Sequence, residues 1–367
     1  MVLSGELKGT QSADVVVVGS GIAGISSAYH LEKAGFEVVV LEEAVLTSGA
    51  TNFSSGVLYF GSGTNFQEAI AMWGVDVAKA FWDETKKSID DIVGLVKANN
   101  WDAGLHSPGA LIVAMDALQT AYLEGELSAM SALGYPGKMV SSAEMREMFS
   151  GREFACGLFQ PICHQINPWE FVPLMAKSLK ARVFEKSGMK SIDETPSGVV
   201  VNTGGGSVSA KHVVIATNLA PTYGGLDKHF SSESSVHVPS EPLPVAELGA
   251  LWPKDGIIWT AAEKYDLFYL HGNTVHFEVY NLKGVKDKMK FYFPESVKFR
   301  LDKATGDSWA KTRDWLPIVG SIKPRVHAAV AMGDQGIIIG WTSGKHIAEL
   351  VQGRMTLFLE MSNPKRF

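Results

Sequence analysis

The segment that most constrains this chain is a valine-rich run followed by three spaced glycines. Residues 14–24 read DVVVVGSGIAG, so four consecutive valines precede Gly19, Gly21 and Gly24. Four successive valines are typical of a strand buried on both faces of a parallel sheet. The spacing G-x-G-x-x-G permits a tight turn, close approach of the backbone to a pyrophosphate, and close packing of helix on strand. The pattern therefore predicts the first strand, turn and helix of a dinucleotide-binding fold.

The residues that follow supply the rest of this unit. A helical pattern runs from Ile22 to about Lys33 and ends at Gly35, and a second apolar strand at 37–41 leads into Glu42. The helix N-terminus offers free N–H groups and a positive dipole end to a diphosphate. An acid in this position can bind an adenosine ribose and would repel the 2′-phosphate of NADP. We therefore expect NAD or FAD; the alternative is an ordinary βαβ turn without a nucleotide.

Length and charge narrow the class of protein. A chain of 367 residues suits two domains, and a net charge of −6 without a basic cluster argues against nucleic acid as a partner. The first thirteen residues are polar, so we expect a lead-in arm rather than a signal peptide. No run of about 18 apolar residues suggests a membrane-spanning helix. The expectation is a cytoplasmic enzyme without a transmembrane segment.

The cysteines do not indicate a disulfide framework or a metal site. Cys156 and Cys163 are the two present, with neither CxxC nor a His/Cys metal spacing. We expect two free, mostly buried thiols and no bound metal.

Several segments along the chain resemble one family. They are VVVVGSGIAGISSAYHLEKAGFEVVVLEE at 15–43, TSGATNFSSG at 47–56, INP at 166–168, KHVVIATN at 211–218, TRDWLPIVG at 312–320 and GDQG at 333–336. Their order is similar to that of the FAD-dependent amine and amino-acid oxidoreductases, the superfamily of D-amino-acid oxidase, glycine oxidase and sarcosine oxidase. Taken alone, the small-residue loop at 47–56 is equally typical of a flexible surface loop.

The resemblance implies an α/β fold with a Rossmann-like FAD-binding domain and an α+β substrate domain built on a mostly antiparallel β-sheet. We predict a discontinuous FAD-binding domain formed by residues 1–80, 151–222 and 306–367. The substrate domain would comprise residues 81–150 and 223–305.

The resemblance also assigns cofactor-binding residues. These are Gly19, Gly21, Ile22, Ala23, Gly24, Glu42, Glu43, Ser48, Gly49, Ala50, Thr51, Ser54, Ser55, Gly56, Met189, Ala216, Thr217, Asn218, Gly333, Gln335, Gly336, Ile337, Ile338 and Ile339. The glycine-rich loop that starts at Gly333 can place N–H donors near the flavin, where they would stabilise negative charge on the reduced ring. The alternative for this loop is a strand-to-helix turn that serves packing alone.

Periodicity predicts the remaining elements. Helical patterns cover 65–98 and 115–133, and a hairpin is expected around the glycines at 204–206. Alternating patterns predict antiparallel strands in the substrate domain, at 237–243, 257–260, 267–270, 275–280 and 290–293.

The strand at 274–280 carries the candidate catalytic residues. Period-two alternation places His276, Glu278 and Tyr280 on one face, where they could transfer protons. By resemblance, His276 takes the position of a lysine that lies above the flavin of sarcosine oxidases, and Tyr280 that of a histidine of the substrate pocket. In the alternative reading this face points to solvent, with Phe277 and Val279 inward.

Departures from the sarcosine-oxidase pattern leave the substrate open. The basic residues that bind a substrate carboxylate there would fall near Ser55 and Ile338, and neither is basic. The covalent flavin cysteine of that branch would fall near Asp307, so we predict non-covalent FAD.

We expect hydride transfer to flavin N5 from the carbon of an amine or amino-acid derivative, giving an imine that hydrolyses. Oxygen, a quinone or another carrier could accept the electrons. There are two alternatives: oxidation of a hydroxy acid, or an FAD-carrying subunit or binding module of a larger complex that does not itself oxidise amines. The chain could form a homo- or hetero-oligomer.

Overall fold

The computed structural model describes residues 2–219, 223–254, 256–280, 282–294, 297 and 299–367, without the side chains of residues 2, 3 and 307. Two predictions fall outside the described residues. They concern residue 222, where a domain boundary is predicted, and Met1, which belongs to the predicted arm. Within them, strands form four sheets of seven, four, eight and two strands. No helix in the described part of the chain is both long and apolar enough to cross a bilayer.

The strands are β1 (Val2–Ser4), β2 (Gly9–Ser12), β3 (Val15–Val18), β4 (Val38–Leu41), β5 (Val57–Tyr59), β6 (Ala110–Ala114), β7 (Lys138–Ser141), β8 (Cys156–Gln160), β9 (Cys163–Gln165), β10 (Arg182–Phe184), β11 (Ser191–Glu194), β12 (Val199–Asn202), β13 (Gly206–Ala210), β14 (His212–Ile215), β15 (Phe230–Pro239), β16 (Ile257–Thr260), β17 (Leu267–His271), β18 (Thr274–Val279), β19 (Thr305–Thr312), β20 (Ile318–Lys323) and β21 (Val326–Val330).

The α-helices are α1 (Ile22–Lys33), α2 (Ala50–Phe53), α3 (Phe66–Trp73), α4 (Val75–Ala98), α5 (Ala117–Ala132), α6 (Ser142–Arg146), α7 (Pro168–Lys177), α8 (Val245–Leu251), α9 (Val285–Tyr292), α10 (Gly336–Val351) and α11 (Leu357–Met361). Two 3₁₀ helices cover Tyr223–His229 and Pro364–Arg366.

The valine-rich strand β3 lies at the centre of the seven-stranded sheet, whose order is β1-β10-β4-β3-β14-β21-β20. Its neighbours β4 and β14 run parallel to it, and all four of its valines are buried. Val15 and Val17 pack with α1, while Val16 and Val18 pack toward the sheet β11-β12-β13-β2. Burial on both faces is what the four consecutive valines predict, so the Rossmann-like fold class is confirmed.

Helices α1 and α10 pack closely because α10 has small residues where they meet. A Cβ on Gly344 would lie 2.4 Å from the Ser27 nitrogen, and one on Gly340 would lie 2.8 Å from Ile22 Cγ2. The Ser26 hydroxyl also donates a hydrogen bond of 2.8 Å to the Trp341 carbonyl. This packing brings the N-terminus of α10 close to the glycine turn after β3.

Residues 2–13 do not form a lead-in arm, so that prediction was wrong for the described part of the segment. Strand β1 pairs in parallel with β10 at the edge of the seven-stranded sheet, and β2 pairs in parallel with β13. Their backbone groups are satisfied by neighbours that come about two hundred residues later in the chain. Edge strands of three and four residues are too short to give a hydrophobic pattern that predicts a strand.

The eight-stranded sheet has the order β19-β15-β18-β17-β16-β6-β8-β7 and is antiparallel except where β16 pairs with β6. The strands predicted at 257–260, 267–270 and 275–280 are confirmed within one residue at their ends. The strand predicted from 237 starts earlier, at Phe230, and ends at Pro239. The domain boundaries themselves stay predictions.

Two other element predictions were wrong. Residues 290–293 do not form a strand but largely belong to α9, whose buried Val285, Met289 and Tyr292 follow the i, i+4, i+7 spacing of a helix. The helix predicted across 65–98 is two helices, because Gly74, at a φ of 80°, separates α3 from α4.

Candidate functional site

A cavity of about 1090 Å³ lies between the carboxyl ends of β3, β4 and β14 and the eight-stranded sheet. Val18, Leu41 and Ala216 line it on the first side, and Ile112, Trp259 and Glu278 line it on the second. Ligands of open α/β sheets bind outside the carboxyl ends of the strands. The volume exceeds the roughly 300–1,000 Å³ typical of small-molecule pockets, so there is room for a dinucleotide and a substrate.

Most of the predicted cofactor-binding residues meet at this cavity. Its lining includes Gly19, Gly21, Ile22, Ala23, Glu42, Glu43, Ser48, Gly49, Ala50, Thr51, Ser54, Ser55, Met189, Ala216, Thr217, Asn218, Gly333, Gln335, Gly336 and Ile337.

Four residues of the predicted cofactor set lie behind the lining. Ile338 and Ile339 are fully buried in α10. The fold requires glycine at the other two positions. A Cβ on Gly24 would lie 1.9 Å from the Gly19 carbonyl oxygen, and a Cβ on Gly56 would lie 1.8 Å from the Ile166 carbonyl oxygen.

The shape of the glycine turn fits a dinucleotide. Gly19 has a φ of 104°, and a Cβ there would lie 2.4 Å from the Ala216 carbonyl oxygen. Gly49 and Gly336 line the cavity, and a Cβ on either would enter open space. The buried Thr217 Oγ1, also on the lining, has no hydrogen-bond partner within the described structure. The site therefore combines close backbone access with an unsatisfied polar group, as the binding of a polar ligand requires.

Glu42 is held at the end of β4 by hydrogen bonds from the chain itself. Its Oε2 accepts from the Ser20 nitrogen at 3.0 Å and from Ser20 Oγ at 2.7 Å, and its Oε1 accepts from the Ala44 nitrogen at 2.8 Å. A carboxylate has about four acceptor sites, so this leaves capacity for one further donor. Contact with a ribose stays a prediction.

The three candidate catalytic residues, which are His276 and Glu278 on β18 and Tyr280 directly after it, do not meet at the cavity. Glu278 lines the cavity, whereas His276 and Tyr280 do not. His276 stacks on Tyr269 with ring centroids 5.0 Å apart, and burial lowers its pKa to about 4. Tyr280 lies edge-on to Tyr265, with centroids 5.9 Å apart. Phe277 and Val279 point into the core, as alternation requires. Of the three polar candidates, Glu278 alone lines the cavity.

Two groups that the sequence analysis missed flank Glu278. His237 lies directly opposite it on β15, with its Nε2 3.7 Å from Glu278 Oε1. Asp334 precedes α10, and its Oδ2 accepts a hydrogen bond of 3.2 Å from the Tyr265 hydroxyl. The sequence signal for Asp334 is the segment GDQG, of which Gly333, Gln335 and Gly336 are predicted to bind the cofactor.

The Asp334 carboxyl group is in an unfavourable place for a negative charge. Its Oδ1 is buried and has no hydrogen-bond partner among the described residues. The pKa of Asp334 is raised to about 6, mainly by burial and in addition by the nearby charge of Glu278, while the hydrogen bond from Tyr265 opposes the rise. A cation between these two carboxylates would relieve both effects.

Acidic residues predominate over basic residues on the cavity lining. Its carboxylates belong to Glu42, Glu43, Glu68, Glu126, Glu263, Glu278 and Asp334. Among the described lining residues, Lys311 is the only lysine or arginine, and its Nζ lies 4.0 Å from the centre of the Trp315 ring. Both predicted thiols are confirmed as free, and neither cysteine lines the cavity.

The raised pKa of Asp334 predicts a pH-dependent stability. The folded state binds this proton more tightly than the unfolded state, so the carboxyl group lowers stability as the pH rises from about 4 to about 6, and the loss persists above that. We expect Asp334→Asn to raise the melting temperature relative to the unmutated protein more at about pH 7.5 than at about pH 5. Thermal unfolding at saturating FAD measures this difference. A difference between the two proteins that does not change with pH would contradict the assignment.

Comparison with known proteins gives consistent findings across nearly the whole chain. The family profile described as FAD dependent oxidoreductase matches residues 14–350. The chain is 25% identical to gamma-glutamylputrescine oxidoreductase of Escherichia coli, over 96% of this chain and 86% of that protein. It is 22% identical to the probable oxidoreductase OrdL of Haemophilus influenzae, over 96% and 87%. The structure of glycine oxidase from Geobacillus kaustophilus superposes with a TM-score of 0.82 at 21% identity, covering 97% of this chain and 99% of that one.

Proposed function

Because the chain belongs to the family of FAD-dependent oxidoreductases, we propose that it oxidises the C–N bond of an amine bound as a cation. The observation that carries this proposal is the pair Glu278 and Asp334, two carboxylates on one cavity lining with an oxygen of Asp334 left unpaired. An ammonium group would supply the missing hydrogen bonds and neutralise the repulsion between them.

The two positions where basic residues would bind a substrate carboxylate are not basic, which supports an amine substrate over a simple amino acid. Ser55 lines the cavity without a positive charge, and Ile338 is buried in α10. A carboxylate is usually bound through an arginine fork, and no described lining residue is an arginine. The Escherichia coli relative is named for the oxidation of gamma-glutamylputrescine, which agrees with an amine substrate.

The residues that would hold FAD follow from the lining. The turn from Gly19 to Ala23 would contact the diphosphate, Glu42 the ribose, and the segment from Gly333 to Ile337 the flavin. When bound, FAD would supply the acceptor for the hydride that leaves the substrate carbon. Hydride leaves the carbon of a neutral amine, so the bound ammonium group would first give one proton to the Asp334 carboxylate, whose raised pKa suits it to accept one.

The chain's own side chains would orient the substrate and exclude water. Glu278 and Asp334 bind the nitrogen, while Tyr59, Trp259 and Trp315 supply aromatic surface around the reacting carbon. Helix α10 starts at this lining without a side-chain cap on its first N–H groups. Those groups can stabilise negative charge that develops beside them during the reaction. The imine product then hydrolyses to a carbonyl compound and a free amine or ammonia.

One observation favours a second candidate, an amino-acid substrate. Lys311 is on the cavity lining and could bind a carboxylate through its ammonium group. In this case the aromatic contact with Trp315 would be exchanged for an ion pair with the substrate.

A matched set of three compounds tests the proposal. Propylamine has an amine and no carboxylate, alanine has both groups, and lactate has a hydroxyl group in place of the amine of alanine. We expect ammonia release and flavin reduction with propylamine and its longer homologues, and weaker reaction with alanine. Preference for alanine would favour the second candidate, and reduction by lactate alone would refute C–N oxidation.

We also propose that FAD is bound without a covalent link. Neither Cys156 nor Cys163 lines the cavity, and both thiols are free. Acid precipitation is therefore expected to release all the flavin into the supernatant, as measured by absorbance. A yellow pellet after repeated washing with acid would contradict non-covalent binding.

A further inference from the structure

His237 is a buried histidine that the catalytic scheme does not use. Its residue is 6% exposed, it lines the cavity, and its Nε2 has no hydrogen-bond partner among the described residues. A buried polar atom without a hydrogen bond destabilises the folded state, so its presence calls for an explanation other than folding stability. Glu278 Oε1 lies 3.7 Å from this nitrogen, which is slightly beyond hydrogen-bond reach.

The pairing of strands fixes this arrangement. His237 on β15 faces Glu278 on β18 directly across the sheet, and on its other side it faces the uncharged Thr305 of β19. Along β18, His276 lies close enough for its own pKa to be lowered by His237. Asp334 is the other carboxylate near Glu278. Of these groups, only Glu278 both adjoins the imidazole and lines the cavity.

We propose that His237 is a positioning residue that controls whether Glu278 is free to bind the substrate's ammonium group; this inference rests on the function proposed above. With a neutral imidazole, the Glu278 carboxylate keeps its charge for the cavity. With a protonated imidazole, the gap between them closes to a charge-assisted hydrogen bond, and the pair presents no net charge to a cation. A proton on His237 and an amine in the cavity therefore compete for one carboxylate.

The consequence is an amine site that weakens in acid for two separable reasons. Asp334 titrates near pH 6, and its protonation removes one of the two carboxylates. Protonation of His237, whose Nε2 lies 3.7 Å from Glu278 Oε1, would occupy the other carboxylate. An Asp334→Asn background removes the first effect and isolates the second.

The test uses tert-butylammonium, an alkyl cation without the α-hydrogen that oxidation requires. Calorimetric titration of the FAD-loaded protein gives its Kd between about pH 5.5 and about pH 8.5. In Asp334→Asn we expect the Kd to rise as the pH falls, approaching roughly tenfold per pH unit. In Asp334→Asn with His237→Gln we expect a Kd that does not change with pH. His237→Asn provides a second, smaller replacement if glutamine disturbs the fold.

His276→Gln in the same background is the matched control, because this histidine lies two residues from Glu278 and does not line the cavity. It should retain the pH dependence. The inference is overturned if the His237 variants keep the same slope, or if the unmutated protein does not bind tert-butylammonium at about pH 8.5. Turnover of propylamine is measured in a separate assay. Absence of ammonia release in that assay would contradict the proposed function, and it would not decide the result of the binding experiment on His237.

Discussion

A leucine at position 336 is expected to prevent FAD from binding while the protein still folds. Gly336 is the first residue of α10 and lines the cavity, and a Cβ there would contact no other atom within 4 Å. The added side chain therefore meets no protein atom at its base and extends into space that the flavin is proposed to fill. We expect Gly336→Leu to be purified without flavin and to show at least a tenfold higher Kd for added FAD, about 1.4 kcal/mol.

Gly94→Leu is the matched control for this variant. Gly94 is also a helical glycine whose Cβ would have no neighbour within 4 Å, but it lies on α4, away from the cavity. Both variants should keep similar melting temperatures without FAD, and Gly94→Leu should retain full flavin content. Equal flavin content in the two variants would contradict the proposed position of the cofactor.

Glu278→Gln is expected to lower kcat/KM for the preferred amine by roughly 10- to 100-fold. Glutamine keeps the shape of the side chain but removes its charge, and a hydrogen bond to a charged group contributes about 1.5–3 kcal/mol. The loss should appear mainly in KM if the carboxylate only binds the ammonium group, and in kcat if it also orients the reacting carbon. Steady-state kinetics at fixed pH distinguish these two cases.

Glu263→Gln removes a charge from the exposed rim of the same cavity and serves as the comparison. Solvent screens an exposed carboxylate, so we expect a change smaller than about threefold. If the two variants lose activity equally, overall cavity charge rather than Glu278 determines amine binding. That result would contradict the assignment of the ammonium site.

The half of the cavity that we propose for the nucleotide could be predicted because its sequence signals are local. The valines of β3, the glycines of the following turn and Glu42 lie within one short segment, and each has a steric or electrostatic requirement that sequence spacing expresses. The structure places most of the predicted segments on the same lining. Gly24 shows the limit of this approach, since its role in packing cannot be distinguished from ligand contact by spacing alone.

The substrate half could not be predicted in the same way because its residues come from distant segments. Glu278 meets His237 through a strand pair and Asp334 through the loop before α10, and no periodicity connects these three positions. Alternation correctly placed His276 and Glu278 on one face, but it could not show that the cavity reaches only one of them. The strand wrongly predicted at 290–293 has a different cause, because four residues are too few to distinguish period two from helical spacing.

The central claim is that this cavity holds FAD and that an amine reduces it. The most direct test is the visible absorption spectrum of the FAD-loaded protein during anaerobic addition of propylamine and longer alkylamines. We predict loss of the oxidised flavin bands with at least one of these amines, and readmission of air then shows whether oxygen restores them. A protein that takes up no FAD, or a bound flavin that no amine reduces while lactate does, would contradict the claim.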